Sequence, residues 1–198
     1  MTIERTAKRS VNYKMCKRCK GKYCCQEHSG IYSPSDFSEE LTISFIKQLL
    51  EEKKACISSC VFSDEPQKIY LYLCVPEIGK GPIDLFSLPA ACSFWNPETG
   101  CKFKRVNQRP WSCATLVPDT DGCIRYYSPE DVVKDWMPHQ KKLEKVVVQL
   151  TGKSSKDVLK QNAASSYPAL KDISKQYQTL PKKYYGCAVY LRSLGYQL

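Results

Sequence analysis

The residues in this sequence best equipped for chemistry are its cysteines, and they are unevenly spread. Cys16, Cys19, Cys24 and Cys25 form one tight group, Cys92, Cys101, Cys113 and Cys123 a second, and Cys56, Cys60, Cys74 and Cys187 are scattered. In Cys16-x-x-Cys19 the two intervening residues let a turn bring both sulfurs to one ion while backbone N–H groups point at them. A redox pair of the thioredoxin type stands at a βαβ unit, whereas these thiols precede any obvious helix and are followed at once by two more. Metal ligation is therefore the leading reading, ahead of redox or disulfide pairing. Neighbouring side chains on an extended segment point to opposite faces. Either Cys24 and Cys25 serve two metal centres, or one is a ligand and the other packs in the core.

The second group is embedded in CSFWNPETGCKFKRVNQRPWSC. Asn96-Pro97 and Thr99-Gly100 predict a turn that stands Cys92 and Cys101 side by side on a loop. Arg109-Pro110 predicts an extended or turn conformation just before Cys113. Asp119-Thr120-Asp121-Gly122 predicts a tight turn before Cys123, which reads equally as an eighth ligand or as a core thiol. Two acids there could hold a hard cation, but Asp-Gly segments of this kind are usually just turns. Cys56 and Cys60 in CISSCVF, Cys74 in IYLYLCV and Cys187 in YYGCAVYL lie in β-branched or aromatic runs and read as small buried hydrophobes. His28, three residues past Cys25, is a candidate nitrogen ligand, and His139 reads as structural or exposed.

Charge fits thiolate ligands. The formal net charge of +10 is concentrated in residues 1–25 and 139–183, while 26–138 is net acidic. Lys14, Lys17, Arg18, Lys20 and Lys22 interleave with the first thiol group, and Lys102, Lys104, Arg105 and Arg109 with the second. Cations favour the thiolate and offset the negative charge of a metal held by four of them. A solvated basic surface is the plain alternative.

The order Cys16-x-x-Cys19, Cys24-Cys25, helix, two strands, then Cys92, Gly100-Cys101 and Arg109-Pro110-x-x-Cys113 resembles the CxxCxxCC cysteine-cluster family, a zinc- or iron-chelating domain. The likeness spans residues 14–126. One spacing departs from the family pattern: Lys20-Gly21-Lys22-Tyr23 puts four residues, not two, before the Cys pair. The resemblance implies Cys16, Cys19, Cys25, Cys92, Cys101 and Cys113 as metal ligands, with Cys24 next. Flagellin lysine methylase is similar in its cysteine cluster, which implies an alternative function as an S-adenosylmethionine-dependent protein lysine methyltransferase.

Spacing alone does not choose the metal. Four-thiolate zinc usually takes two CxxC knuckles, and this chain has one. All-Cys ligation from distant segments suits an iron–sulfur cluster at least as well, so the cluster is favoured over zinc. Either would close the loop between Cys25 and Cys92 and couple metal binding to folding.

An α+β fold is expected to position these thiols: a small antiparallel sheet and helices around a cysteine-ligated metal centre, with a mostly helical C-terminal layer. Asp36-x-x-Glu39 resembles a capping box, and Leu41, Phe45 and Leu49 with Ile43, Ile46 and Leu50 make an apolar face, predicting a helix over 37–54. CISSCVF and IYLYLCV, separated by SDEPQK, predict a hairpin. Ser128-Pro129-Glu130-Asp131 starts a helix that Pro138 breaks or kinks, after which Leu143, Val146, Val147 and Leu150 continue to Gly152. Further helices are expected over 155–161, 169–180 and 182–194, the last ended by Gly195. The organisation expected is a cysteine-cluster domain over 1–127 and a helical extension over 128–198 packed on it.

Composition narrows the function classes. With 198 residues, 42% of them apolar, the chain can build a core, so intrinsic disorder is not expected. No 18-residue apolar run predicts a membrane span, and the polar, basic start does not read as a secretory signal, so the expected compartment is the cytoplasm. Walker, GxGxxG, GxSxG and HExxH motifs are missing, and two histidines leave few candidates for general-base chemistry. A non-catalytic metal-cluster module that binds a protein partner or holds iron or zinc is the leading class. Nucleic-acid binding through the basic termini, with Tyr13, Tyr23 and the C-terminal tyrosines, is a third class that charge allows and no motif supports.

Overall fold

A computed structural model describes residues 25–26, 29–62, 64–65, 67–86, 88–103, 108–114, 116–119, 122–125, 127–177, 179–181 and 184–198, with the backbone alone at 116–119, 122–125 and 185. The architecture is α+β. Helix α1 (Ile43–Glu51) leads into the hairpin β1 (Cys56–Cys60) and β2 (Tyr70–Cys74). The short pair β3 (Trp95–Asn96) and β4 (Gly100–Cys101), the one-turn helix α2 (Trp111–Ala114) and the ladder β5 (Leu116–Asp119) with β6 (Gly122–Arg125) follow. Four helices end the chain: α3 (Pro129–Trp136), α4 (Gln140–Thr151), α5 (Ser155–Gln176) and α6 (Tyr185–Ser193).

The hairpin forms as its alternation dictates. Cys56 pairs with Cys74 and Ile57 with Leu73, and the register runs to Cys60 opposite Tyr70. A strand alternates faces with period two, so Ile57, Leu71 and Leu73 share one face, and all three are buried. Cys56, Ser58, Cys60, Tyr72 and Cys74 share the other. Both outer edges of the hairpin are covered. Tyr32 N–H donates to the Leu73 carbonyl (3.0 Å) and Val75 N–H to that of Gly30 (2.8 Å), laying residues 30–32 along β2. On the β1 side, Ile57 N–H donates to Pro82 and Asp84 N–H to Ile57, each at 2.9 Å. Where the 30–32 segment ends, the Gln140 amide takes over, accepting from Leu71 N–H and donating to its carbonyl, both at 2.8 Å.

One core continues through the hairpin and the C-terminal helices, joining Ile57 and Leu73 to Trp136, Leu143, Val147, Leu159, Leu170 and Leu191. Trp136 is fully buried, and its indole N–H donates to the Tyr32 carbonyl at 2.8 Å. Helix α3 is N-capped at Ser128 as the sequence indicates, and the structure adds a capping box: Ser128 Oγ accepts from Asp131 N–H, and the Asp131 carboxylate accepts from Ser128 N–H. Residues 137–139 form a 3-10 turn at the predicted break, and α4 ends at Gly152 with φ +68°.

Two predicted boundaries need correction. Helix α1 starts at Ile43, not 37, capped by Thr42 Oγ1 on Phe45 N–H (3.1 Å). The Asp36 carboxylate is already engaged, accepting from Ser33 N–H (2.9 Å) and from Trp111 N–H (2.7 Å), so it closes a 3-10 turn at Pro34–Asp36 instead. The sequence predicts separate helices over 155–161 and 169–180, but α5 runs unbroken from Ser155 to Gln176 through Pro168. An interior proline costs ~3 kcal/mol. Val158, Leu159 and Ala163 before it and Leu170 after it are all buried, and that packing outweighs the local penalty.

Candidate metal centre

The predicted turn between Cys92 and Cys101 forms as its residues require. Asn96 Oδ1 accepts from Glu98 N–H (2.8 Å) and Thr99 N–H (2.9 Å), and Gly100 takes φ +79°, a conformation that favours glycine. Strand β4 thereby returns beside β3 with Cys101 opposite Trp95, while Trp95 N–H donates to the Cys92 carbonyl at 3.1 Å. The segment carrying Cys92 is fixed in turn along residues 76–78: Ile78 N–H donates to Ala91 (2.8 Å) and Ser93 N–H to Pro76 (2.9 Å).

Cys113 arrives on α2. The Pro110 carbonyl accepts from Cys113 N–H (2.9 Å) and Ala114 N–H (3.0 Å), so the proline sets the start of this turn as the sequence suggested. Three bonds tie the turn to the 31–36 segment: Ser112 N–H to the Ile31 carbonyl (3.2 Å), Ile31 N–H to Ser112 Oγ (2.6 Å), and Trp111 N–H to Asp36. This docking delivers Cys113 Sγ onto Gly30, where an added Cβ would overlap the sulfur and crowd Pro110 at 3.1 and 3.2 Å.

Cys92 meets the same glycine from another side. Its sulfur accepts hydrogen bonds from the backbone N–H groups of Phe94 and Gly30, which lower its pKa, while the nearby Cys101 raises it. Burial nevertheless wins and pushes the Cys92 thiol up to about 11. The expectation that flanking lysines hold these thiols down is not met at Cys92: Lys102 instead lies over the Phe94 ring, 5.2 Å from its centroid. Cys25 joins through its backbone, its carbonyl accepting from Cys92 N–H at 2.8 Å. Tyr32 senses both sides of this region. Its phenol is raised mainly by burial and further by Cys113, Cys74 and Cys92.

Of the predicted ligands, Cys92 and Cys113 thus both approach Gly30, Cys101 lies within electrostatic reach of Cys92, and the Cys25 backbone runs alongside Cys92. Cys16, Cys19 and Cys24 lie outside the described residues, as does the candidate ligand His28. The side chain of Cys123 lies outside them too, its backbone pairing with Pro118 across β5 and β6. Among the described residues, no group of three or more His, Cys, Asp or Glu side chains stands in metal-holding geometry. Trp95 pairs with Cys101 across β3 and β4, and its Nε1 is buried with no hydrogen-bond partner among them.

Sequence reasoning missed Gly30, whose role comes from a close approach between segments far apart in the chain. It also missed the cross-strand apposition of Cys56 and Cys74, whose sulfurs are 3.1 Å apart. Both are buried, as the sequence suggested, whereas Cys60 and Cys187 are half-buried. Among the described residues, no helix is long and apolar enough to cross a membrane. No protein-family profile, curated protein or solved structure matches the chain.

Proposed function

We propose that this protein is a cysteine-cluster metal-binding protein in which Cys92, Cys101 and Cys113, with Cys25 and the N-terminal Cys16, Cys19 and Cys24, hold an iron–sulfur cluster or zinc. The observation that carries this reading is the convergence of Cys92 and Cys113 on Gly30, with Cys101 within electrostatic reach of Cys92. A thiol pocket of this kind suits soft, thiolate-ligated metals. N–H groups aimed at sulfur are the usual surroundings of an iron–sulfur cluster, and Phe94 and Gly30 supply two. Trp95, paired with Cys101 across β3 and β4, keeps a buried Nε1 donor without a hydrogen-bond partner among the described residues.

The residues fit the group in their chemistry. A bound metal would supply the charge that buries these thiols as thiolates, and binding would release their protons. The chain's own contribution is to pin Cys113 through α2 and Cys92 through the 76–78 segment. The methyltransferase and nucleic-acid alternatives rest on resemblance and charge alone.

Anaerobic purification of the full chain with metal analysis and an absorption spectrum tests this. Brown protein containing iron and sulfide selects the cluster, and colourless protein with bound zinc selects zinc. Metal-free protein of unchanged stability in excess iron, sulfide or zinc would end the proposal.

A further inference from the structure

On the hairpin face opposite Ile57, Leu71 and Leu73 lies a cavity of about 290 Å³, whose lining also includes the core residues Leu85, Phe86, Leu159 and Tyr190. Four thiols line it, Cys56, Cys60, Cys74 and Cys187, together with Tyr72 and Glu77. The Glu77 carboxylate is held in place by Ala90 N–H (3.0 Å) and Ser29 N–H (3.3 Å). Within this wall Cys56 and Cys74 stand apart from the other two. They are directly opposed in the β1–β2 register, and their Sγ atoms are 3.1 Å from each other.

We propose that Cys56 and Cys74 are a redox-active dithiol, which a small peroxide admitted by this cavity converts to a disulfide across β1 and β2. This goes beyond the metal reading and uses none of its cysteines. Opposed residues of an antiparallel pair have Cα atoms about 4.5 to 5.5 Å apart, inside the disulfide window of about 4.4 to 6.8 Å. The bond itself is about 2.05 Å long, so the sulfurs need to close by about 1 Å, within reach of side-chain rotation alone. A metal would ask for the opposite movement. Tetrahedral zinc with bonds of about 2.3 Å holds its sulfurs roughly 3.8 Å apart, and no third donor is arranged with these two among the described residues.

The chemistry balances with hydrogen peroxide as the oxidant. One sulfur attacks a peroxide oxygen, the O–O bond breaks, the departing oxygen leaves as water, and a sulfenic acid forms. The second sulfur then attacks the sulfenic sulfur and displaces its oxygen as a second water. Two electrons pass from the dithiol to the peroxide, and both thiol protons end in water. The hydrogen bond to Cys56, followed by burial, holds the Cys74 thiol well above its ordinary range. Burial likewise pushes Cys60 and Cys187 up to about 11. Attack by Cys74 is therefore slow for lack of thiolate, but once a sulfenic acid forms on either sulfur, its resolving thiol is already in contact.

The full-length protein, treated with hydrogen peroxide and then alkylated with N-ethylmaleimide, is digested and mapped by mass spectrometry. The expected product is a Cys56–Cys74 peptide pair lighter by two hydrogens than the sum of its parts, reverted by dithiothreitol and retained in Cys187→Ser. The result that overturns the proposal is recovery of Cys56 and Cys74 as separate maleimide or sulfinic products, or cross-linked to other cysteines, in the wild-type chain. The peptide map reads these two residues directly, so loss of a metal elsewhere in the chain does not alter its outcome.

Discussion

Gly30 and Cys113 touch so closely that the glycine has no room for a side chain: a Cβ there would overlap Cys113 Sγ. The requirement comes from packing between a segment laid along β2 and a turn more than eighty residues later. Gly30→Ala should therefore push Cys113 away from Cys92, costing about 1–3 kcal/mol as overpacking does. If the thiols around Gly30 hold a metal, the variant also loses most of it. Chemical denaturation and metal analysis on one preparation check both effects, and full metal content would separate Gly30 from the centre.

Serine in place of a single thiol discriminates ligands from packing. Cys101→Ser should lower metal content and thermal stability together, because metal binding is coupled to folding. Cys187→Ser, on the wall of the other cavity, should leave metal content unchanged. Equal metal loss in both variants would show the division of the cysteines to be wrong.

Asp36 ties the first half of the candidate centre to the second, its carboxylate accepting from both Ser33 and Trp111 N–H. Asp36→Ala strips two partly buried donors of their acceptor and should cost about 1–3 kcal/mol, loosening α2 and Cys113 with it. Asp36→Asn keeps one acceptor oxygen and should cost less. Urea melts rank the pair, and equal stability of the alanine variant and wild type would refute this role.

These residues show what the sequence makes legible and what it hides. Elements specified by neighbours in the chain are readable: the helix start at Ser128, the Pro138 break, the Gly152 and Gly195 ends, and the Asn96–Gly100 turn. Asp36 misleads because a residue seventy-five positions away claims its carboxylate. Pro168 misleads because buried residues on both sides of it hold α5 together. Spacing can nominate the thiols of the second group, but it cannot nominate Gly30, since nothing in its neighbourhood announces Cys113. The Cys56–Cys74 pairing is hidden for another reason. Two apolar runs predict a hairpin without fixing its register, and a one-residue slip would turn one of these cysteines to the opposite face.

Gln140 completes the outer edge of β2, serving both polar groups of Leu71 at 2.8 Å. Gln140→Ala leaves that N–H and carbonyl without their partner beneath α4, an expected loss of about 1–3 kcal/mol. Hydrogen exchange gives a local reading as well: the Leu71 amide should lose protection while that of Tyr32, bonded to Leu73, keeps it. Unchanged exchange at Leu71 would mean that the amide contact contributes nothing.

His139 links stability to pH. Its ring packs edge-on against Trp136, 5.7 Å between centroids, and its buried Nδ1 has no hydrogen-bond partner among the described residues. Burial lowers its pKa, Lys142 lowers it further, and Glu40 opposes them. The folded chain therefore prefers the neutral ring more than the unfolded chain does. The stability due to this preference is complete above the unfolded value of about 6.5 and is lost as pH falls through the lower, folded value. Wild type should lose more stability between neutral and mildly acidic pH than His139→Gln, whose side chain does not titrate. Denaturant melts of both proteins across that interval measure the difference. Parallel curves would show that His139 is protonated as easily in the folded chain as in the unfolded one.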